Sequence, residues 1–138
     1  MPTRYINTDL DIVSVQPLDT LAAALEKAEL CCINSWTSDT GLEHQGWEVS
    51  GFLDSKEPAP IIELLLAAIE NLPEDARVIW DDCESHTFDI GYNCGEEPWG
   101  FQQGLPVELL ARMVALNISL RLTLYPEHPP GHKKKKPS

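Results

Sequence analysis

Two cysteines and a histidine, Cys83, His86 and Cys94, are close enough in sequence to share a metal ion. Thiolate sulfur and imidazole nitrogen are good zinc ligands, and a structural zinc site uses four of them. The spacing is not that of a zinc finger, and no Cys-x2-Cys knuckle is present. A fourth ligand would have to come from elsewhere in the chain: Cys31, Cys32 or His44. Because cysteines are among the residues most often buried, we interpret these three residues as core groups, keep the zinc site as the alternative, and expect no cofactor.

The same residues could form a Cys-His nucleophilic pair, with Cys94 activated by His86 or His44. No known catalytic signature surrounds Cys94, and the chain has no serine elbow, no Walker-type phosphate loop and no GxGxxG. We therefore expect a protein that is not an enzyme. The alternative is a small-molecule or metal-dependent enzyme that uses the Cys83/His86/Cys94 region and the neighbouring carboxylates.

Carboxylates are concentrated in this part of the chain. They are Asp81, Asp82, Glu84, Asp89, Glu96 and Glu97. Paired carboxylates transfer protons or bind a divalent cation only where they converge in a cleft. Residues 76–83 are predicted to be a strand, which would send Asp81 and Asp82 to opposite faces. We therefore interpret the carboxylates as a solvated acidic edge, which resists edge-to-edge pairing, or as a surface that binds a partner, and we take them as the predicted partner-binding residues.

Trp99 lies beside these charges, after Pro98 in a glycine-flanked loop that follows Glu96 and Glu97. Two interpretations stay open. The indole is either a plug that closes one end of the sheet or an exposed anchor of the kind enriched at protein interfaces. As an anchor, Trp99 belongs with the predicted partner-binding residues.

The net charge of −12 limits the classes of partner. Residues 127–138 contribute Glu127 and four lysines, so the remaining 21 acidic and 6 basic residues give the body a charge of −15. Such a body repels nucleic-acid phosphates and anionic lipids, so we expect it to bind neither nucleic acid nor a membrane. The sign of the charge favours a basic protein partner.

The elements that position these residues follow from the hydrophobic periodicities. Phe88, Ile90 and Tyr92 alternate as in a strand with one buried face, and the leucines of residues 118–125 do the same. Stripes of apolar residues at helical spacing predict three helices. The predicted strands are 3–15, 31–37, 46–53, 76–83, 86–92 and 118–125. The predicted helices are 18–28, 61–72 and a third that enters at residues 104–106 and runs to about residue 116.

The order β-α-β-β-α-β-β-α-β predicts an α+β fold: a two-layer sandwich of ferredoxin-like character, with about six strands and three helices on one face. The other face of the sheet would be wet or covered by a partner. Residues 1–126 are expected to form one domain, and residues 127–138 a disordered Lys/Pro-rich tail. No apolar run suits a membrane span or a signal segment, so we expect a cytoplasmic protein.

Residues 92–101, with the sequence YNCGEEPWGF, precede a helix and a leucine-alternating strand that ends in Tyr125-Pro126. In this the chain resembles a family of small uncharacterised bacterial proteins, described as a domain of unknown function. The resemblance covers the element order of most of residues 1–126. It implies no activity and no site residues.

Together these observations predict a non-enzymatic interaction protein whose acidic surface binds a basic protein partner. In a bacterium, its most concrete form is an immunity-type inhibitor. The sequence leaves the oligomeric state open.

Overall fold

The computed structural model describes residues 1–51 and 54–127, which form an α+β sandwich of four helices and one five-stranded sheet. The elements are β1 Arg4–Ser14, α1 Asp19–Lys27, β2 Leu30–Thr37, β3 Glu43–Val49, α2 Pro58–Glu70, α3 Glu74–Asp82, β4 Ser85–Asn93, α4 Val107–Ala115 and β5 Ser119–Tyr125. The end of the predicted third strand, residues 52–53, lies outside the described residues. The predicted tail does so too from residue 128 onward.

The sheet order is β2-β3-β1-β4-β5. Neighbouring strands are antiparallel except β4 and β5, which are parallel. Read from the other side, the first four strands have the order β4-β1-β3-β2 of a split-βαβ arrangement, so the predicted ferredoxin-like character is confirmed. The crossover through α4 adds β5 as a fifth strand at one edge, since parallel neighbours need such a connection.

The central strand β1 separates core from surface by simple alternation. Leu10 and Ile12 are buried under the helices, whereas Val13 lies on the opposite face. The sequence leaves the register of Ile12 and Val13 open and predicts an irregularity in this strand. The irregularity lies near the start, where the pairing with β4 shifts between Tyr5 and Asn7. From Thr8 onward every second side chain enters the core.

All four helices pack on one face of the sheet, because their buried side chains belong to the same apolar cluster as those of the strands. Helix α2 contributes most, with Ile62, Leu65, Leu66 and Ile69 fully buried, and it contacts β1 and β3. Helix α2 is therefore the most buried of the described helices. The opposite face of the sheet carries no helix of the described chain. No helix among the described residues is long and apolar enough to cross a bilayer.

The predicted strand at residues 76–83 is wrong, because this segment belongs to helix α3. Ala76 and Trp80 are buried in the core, whereas Val78 between them is 53% exposed. A strand would place all three side chains on one face, and a helix does not. Pro73 precedes the helix, and Glu74 and Asp75 occupy its first turn, where acidic side chains interact favourably with the positive end of the helix dipole. The fold therefore has five strands and four helices instead of six and three.

The loop after β4 is fastened to the first residues of the chain. The Glu96 amide donates to the Met1 carbonyl at 2.8 Å, and the Gly95 amide donates to Thr3 Oγ1 at 2.9 Å. A Cβ at position 95 would lie 2.0 Å from the Met1 carbonyl oxygen. Glycine is therefore required in the YNCGEEPWGF segment for close backbone approach.

Ile69 tests the packing of α2. It is fully buried, so Ile69→Ala should lower the free energy of unfolding by roughly 2–5 kcal/mol through lost transfer energy and the cavity left behind. Leu64→Ala is a matched control on the same helix, because Leu64 is 46% exposed, and it should cost less than about 1 kcal/mol. Both values come from chemical denaturation, and equal losses for the two variants would contradict the proposed packing.

Candidate functional site

The carboxylates grouped by the sequence lie in separate places in the fold. Asp81 and Asp82 are on the last turn of α3 and not on a strand. Asp81 forms an ion pair with Arg77 at 3.2 Å, and Asp82 accepts a hydrogen bond from Gln16 Nε2 at 3.2 Å. Glu84 lies in the link between α3 and β4. The predicted single acidic cluster along two neighbouring strands is therefore wrong.

Glu96, Glu97 and Trp99 lie in the loop that follows β4. The Trp99 side chain is fully exposed, so the plug interpretation is wrong. Its indole lines a groove with Tyr92, Phe101, Leu122 and Leu124. Glu96 and Glu97 are also exposed, and their backbone groups hydrogen-bond to Met1 and Thr3.

Asp89 differs from the other predicted residues, because it lies on the face of the sheet that the helices leave open. The strand register places Asp9 opposite Asp89, and Asp89 opposite Arg121. The pair Leu10–Trp47 brings Glu48 beside Asp9 on the other side of β1. A charged row thus crosses four strands in the order Glu48, Asp9, Asp89, Arg121. We call the carboxylates of this row, together with Asp11, the acidic face.

Arg121 compensates only part of the acidic face. It forms ion pairs with Asp11 and, at 3.0 Å, with Asp89. Thr123 Oγ1 also donates to Asp89 at 2.7 Å. Within residues 1–51 and 54–127, no cation lies within ion-pair distance of Asp9 or Glu48. The face therefore keeps an excess of negative charge on β1 and β3.

This excess of negative charge affects the pKa of Asp9. Partial burial, followed by repulsion from Glu48, Asp11 and Asp89, raises its pKa from the ordinary 3.8 to about 6, although Arg121 acts in the opposite direction. The carboxylate is thus held near other anions and away from bulk water, both of which disfavour its charge. A cation placed over Asp9 would relieve this repulsion.

An exposed aromatic pair lies beside the acidic face. The Trp36 indole stacks on the His44 imidazole with 3.9 Å between ring centroids and 9° between planes, and Trp36 remains 54% exposed. These rings line a shallow depression of about 350 Å³ with Asp11, Val13 and Arg121. The open face therefore combines uncompensated charge with an amphipathic aromatic surface.

Sequence reasoning missed most of this surface. The alternation of Asp9 and Asp11 with Leu10 and Ile12 was the available signal, since it predicts two carboxylates on the outer face of β1. No comparable pattern links Glu48 to Asp9, because only the register of the two strands makes them neighbours.

The candidate metal and nucleophile residues do not form such a site. His86 is buried and stacks on Trp80 with 3.7 Å between ring centroids. Its Nδ1 and Nε2 lie 2.9 and 2.7 Å from the carbonyl oxygens of Asn117 and Trp80. Neither ring nitrogen is therefore free to bind a metal ion or to activate Cys94.

Cys83 is an ordinary core thiol. Its Sγ donates to the Ile79 carbonyl at 3.2 Å, and burial raises its pKa to about 11, which disfavours the thiolate needed for a nucleophile or a zinc ligand. No group of three His, Cys, Asp or Glu residues in the described ranges could hold a metal ion. Residues 76–83 do not pair with β4 as a neighbouring strand, because residues 74–82 form helix α3.

Comparison with protein-family models, curated proteins and solved structures finds no match to this chain. The resemblance based on residues 92–101 therefore stays a prediction.

The raised pKa of Asp9 predicts that the contribution of this residue to the free energy of unfolding falls as the pH rises from about 4 to about 6. In this window the folded protein binds more protons than the unfolded chain, so deprotonation favours unfolding. Asp9→Asn should remove the effect and melt at a higher temperature than the wild type at about pH 7, but not below about pH 4. Thermal denaturation of the wild type and of Asp9→Asn between about pH 4 and pH 7 tests this prediction.

Glu26→Gln, which removes an exposed charge from α1, is the control for the Asp9 variant and should leave the pH profile unchanged. An Asp9→Asn variant whose melting temperature differs from that of the wild type by the same amount at every pH would contradict the raised pKa.

His86→Ala should lower the free energy of unfolding by roughly 2–4 kcal/mol, because it leaves a cavity against Trp80 and removes the buried imidazole from beside the carbonyl groups of Trp80 and Asn117. Cys94→Ala, at a partly exposed position, should cost less than about 1 kcal/mol. Denaturation of protein purified without a metal-affinity tag, with and without added zinc, provides the measurement. Stabilisation of the wild type by zinc that is lost in His86→Ala would identify His86 as a ligand.

Proposed function

We propose that this protein is a non-enzymatic interaction protein that binds a basic protein partner through the open face of its sheet, in the manner of an immunity-type inhibitor. The observation that carries the proposal is the crowding of Asp9 by Glu48, Asp11 and Asp89, with Arg121 as their nearby cation. A lysine or arginine from the partner would stabilise the ionised form of Asp9 and relieve the repulsion among its neighbours.

The acidic face is built on rigid elements, which suits recognition. Asp9, Asp89 and Glu48 project from three adjacent strands, whose backbones lie about 5 Å apart. Ordered side chains lose little freedom when a partner binds, and complementary charge speeds the encounter. The −15 body extends the attractive field beyond the face itself.

Trp36 supplies a contact of a different kind. Charged groups at an interface mainly set the association rate and the choice of partner, whereas buried aromatic side chains often contribute much of the affinity. Trp36 is held by His44 at the end of the acidic face, so a partner that covers the carboxylates would also cover the indole. An inhibitor acts by such masking and needs no catalytic group of its own.

Two double variants test which acidic surface binds. Asp9→Asn with Glu48→Gln removes two charges from the open face, and Glu96→Gln with Glu97→Gln removes two from the loop. The probe is a short Lys/Arg-rich peptide that contains one tryptophan, followed by NMR chemical-shift mapping and association kinetics. The open-face variant should weaken binding roughly tenfold at low salt and reduce its salt dependence, because close charges contribute on the order of 1 kcal/mol each.

The loop variant should bind within about twofold of the wild type, because its two charges lie outside the open face. A glutamate-rich peptide of the same length serves as the charge control and should not bind. Loss of binding in the loop variant alone would move the site to Glu96 and Glu97. Equal binding of both peptides, or binding unchanged in both variants, would overturn the basic-partner function.

A further inference from the structure

Strand β5 forms an edge of the sheet that lacks the usual protections against pairing with another strand. Its pairing with β4 runs without interruption from Ser119 to Tyr125. Its only charged side chain, Arg121, is already bound to Asp11 and Asp89. Natural edge strands are normally blunted by charges, prolines, bulges or short length, because their free N–H and C=O groups are a template for a new strand.

The opposite edge strand, β2, shows what such a protection looks like. Its pairing with β3 shifts between Cys32 and Asn34, as a bulge requires. A bulge bends and twists an edge and thus opposes the addition of a flat strand. Strand β5 has no such shift, so the two edges of one sheet differ in their readiness to pair.

The side chains of β5 also favour a partner. Leu120, Leu122 and Leu124 lie on the helix side of the sheet, in register with Phe88, Ile90 and Tyr92 of β4, yet they remain 46%, 57% and 61% exposed. The buried residues of β4 show that this face belongs to the core layer. The helices therefore cover β4 and leave an apolar stripe along β5.

Helix α4 extends this stripe. Val107, Leu110 and Val114 are exposed at spacings of three and four residues and form one flank of the helix. The other flank carries Arg112, which pairs with Glu63 at 2.7 Å and Glu70 at 2.8 Å on α2. The apolar flank is thus turned away from α2.

We propose that β5 pairs antiparallel with β5 of a second copy of this chain, about a two-fold axis at Leu122. This register is self-complementary: Leu122 faces its own copy, Leu120 faces Leu124, and Arg121 faces Thr123. Each Arg121 remains paired with Asp11 and Asp89 of its own chain, so the strand pairing brings no uncompensated like charges together. The two sheets become one ten-stranded sheet, and six leucines form a continuous apolar stripe on its helix side.

The surface available matches what a stable dimer needs. The three leucines, Tyr125, Trp99 and the apolar flank of α4 offer on the order of 800 Å² on each copy, which is the share of one partner in a standard interface. Repulsion between two chains of charge −12 opposes the association, but physiological salt screens it beyond about 8 Å. Strand β5 itself adds no unpaired charge to the interface, because its one charged residue, Arg121, is in ion pairs.

The oligomeric state of the full chain tests this inference independently of the proposed function. Light scattering coupled to size exclusion at about 100 µM should give twice the 15.4 kDa chain mass. Leu122→Lys places a charge at the two-fold axis and should weaken dimerisation by at least about tenfold, with the melting temperature at low concentration unchanged. Leu124→Lys repeats the test at a second position in case the first variant folds poorly.

Ile33→Lys on β2 is the matched control, because it adds the same charge at the other edge, and it should remain dimeric. The Asp9/Glu48 variant should also remain dimeric, which separates this interface from the open face. A wild type that stays at 15.4 kDa, a dimer that survives both leucine variants, or one that only Ile33→Lys dissociates would overturn the inference.

Discussion

The buried stack of Trp80 on His86 joins one helix, one strand and one turn of this fold. The Trp80 indole donates to the Leu116 carbonyl at 3.1 Å, and His86 lies at hydrogen-bond distance from the carbonyls of Trp80 and Asn117. One aromatic pair thereby fixes α3, β4 and the turn between α4 and β5.

The position of β5 in turn determines both surfaces of interest. On the open side, β5 carries Arg121 to Asp89 and Asp11, which leaves Asp9 and Glu48 as the uncompensated end of the acidic face. On the helix side, the same strand extends beyond the cover of the helices and exposes its leucines. The proposed charge recognition and the proposed edge pairing therefore involve opposite faces of the sheet and need not compete.

The sequence predicts the two-layer arrangement of helices and sheet better than it predicts the contacts between individual side chains. Alternation along Phe88, Ile90 and Tyr92 identifies a strand because both the core and the pleat impose a period of two. The secondary structure around Trp80 is ambiguous in the sequence, because a short apolar run fits a strand as well as a buried helix. In the helix, Trp80 forms a hydrogen bond to Leu116, and this long-range contact cannot be read from the local sequence. The acidic face could not be predicted for a related reason, because Asp9 and Glu48 become neighbours only through the strand register. Asp81 and Glu96 are nearer to Asp89 in sequence but lie outside the acidic face.

The alternation within β1 has a consequence for how this protein can diverge. Thr8, Leu10 and Ile12 contribute to the core, and the intervening Asp9 and Asp11 contribute to the surface, so one stretch of residues specifies both. A single insertion or deletion would exchange the two sets and destroy both at once. Substitutions at the outward positions, by contrast, leave the packing intact. Lineages can therefore change the charge pattern of the open face residue by residue, and acquire new binding specificities, on an unaltered scaffold.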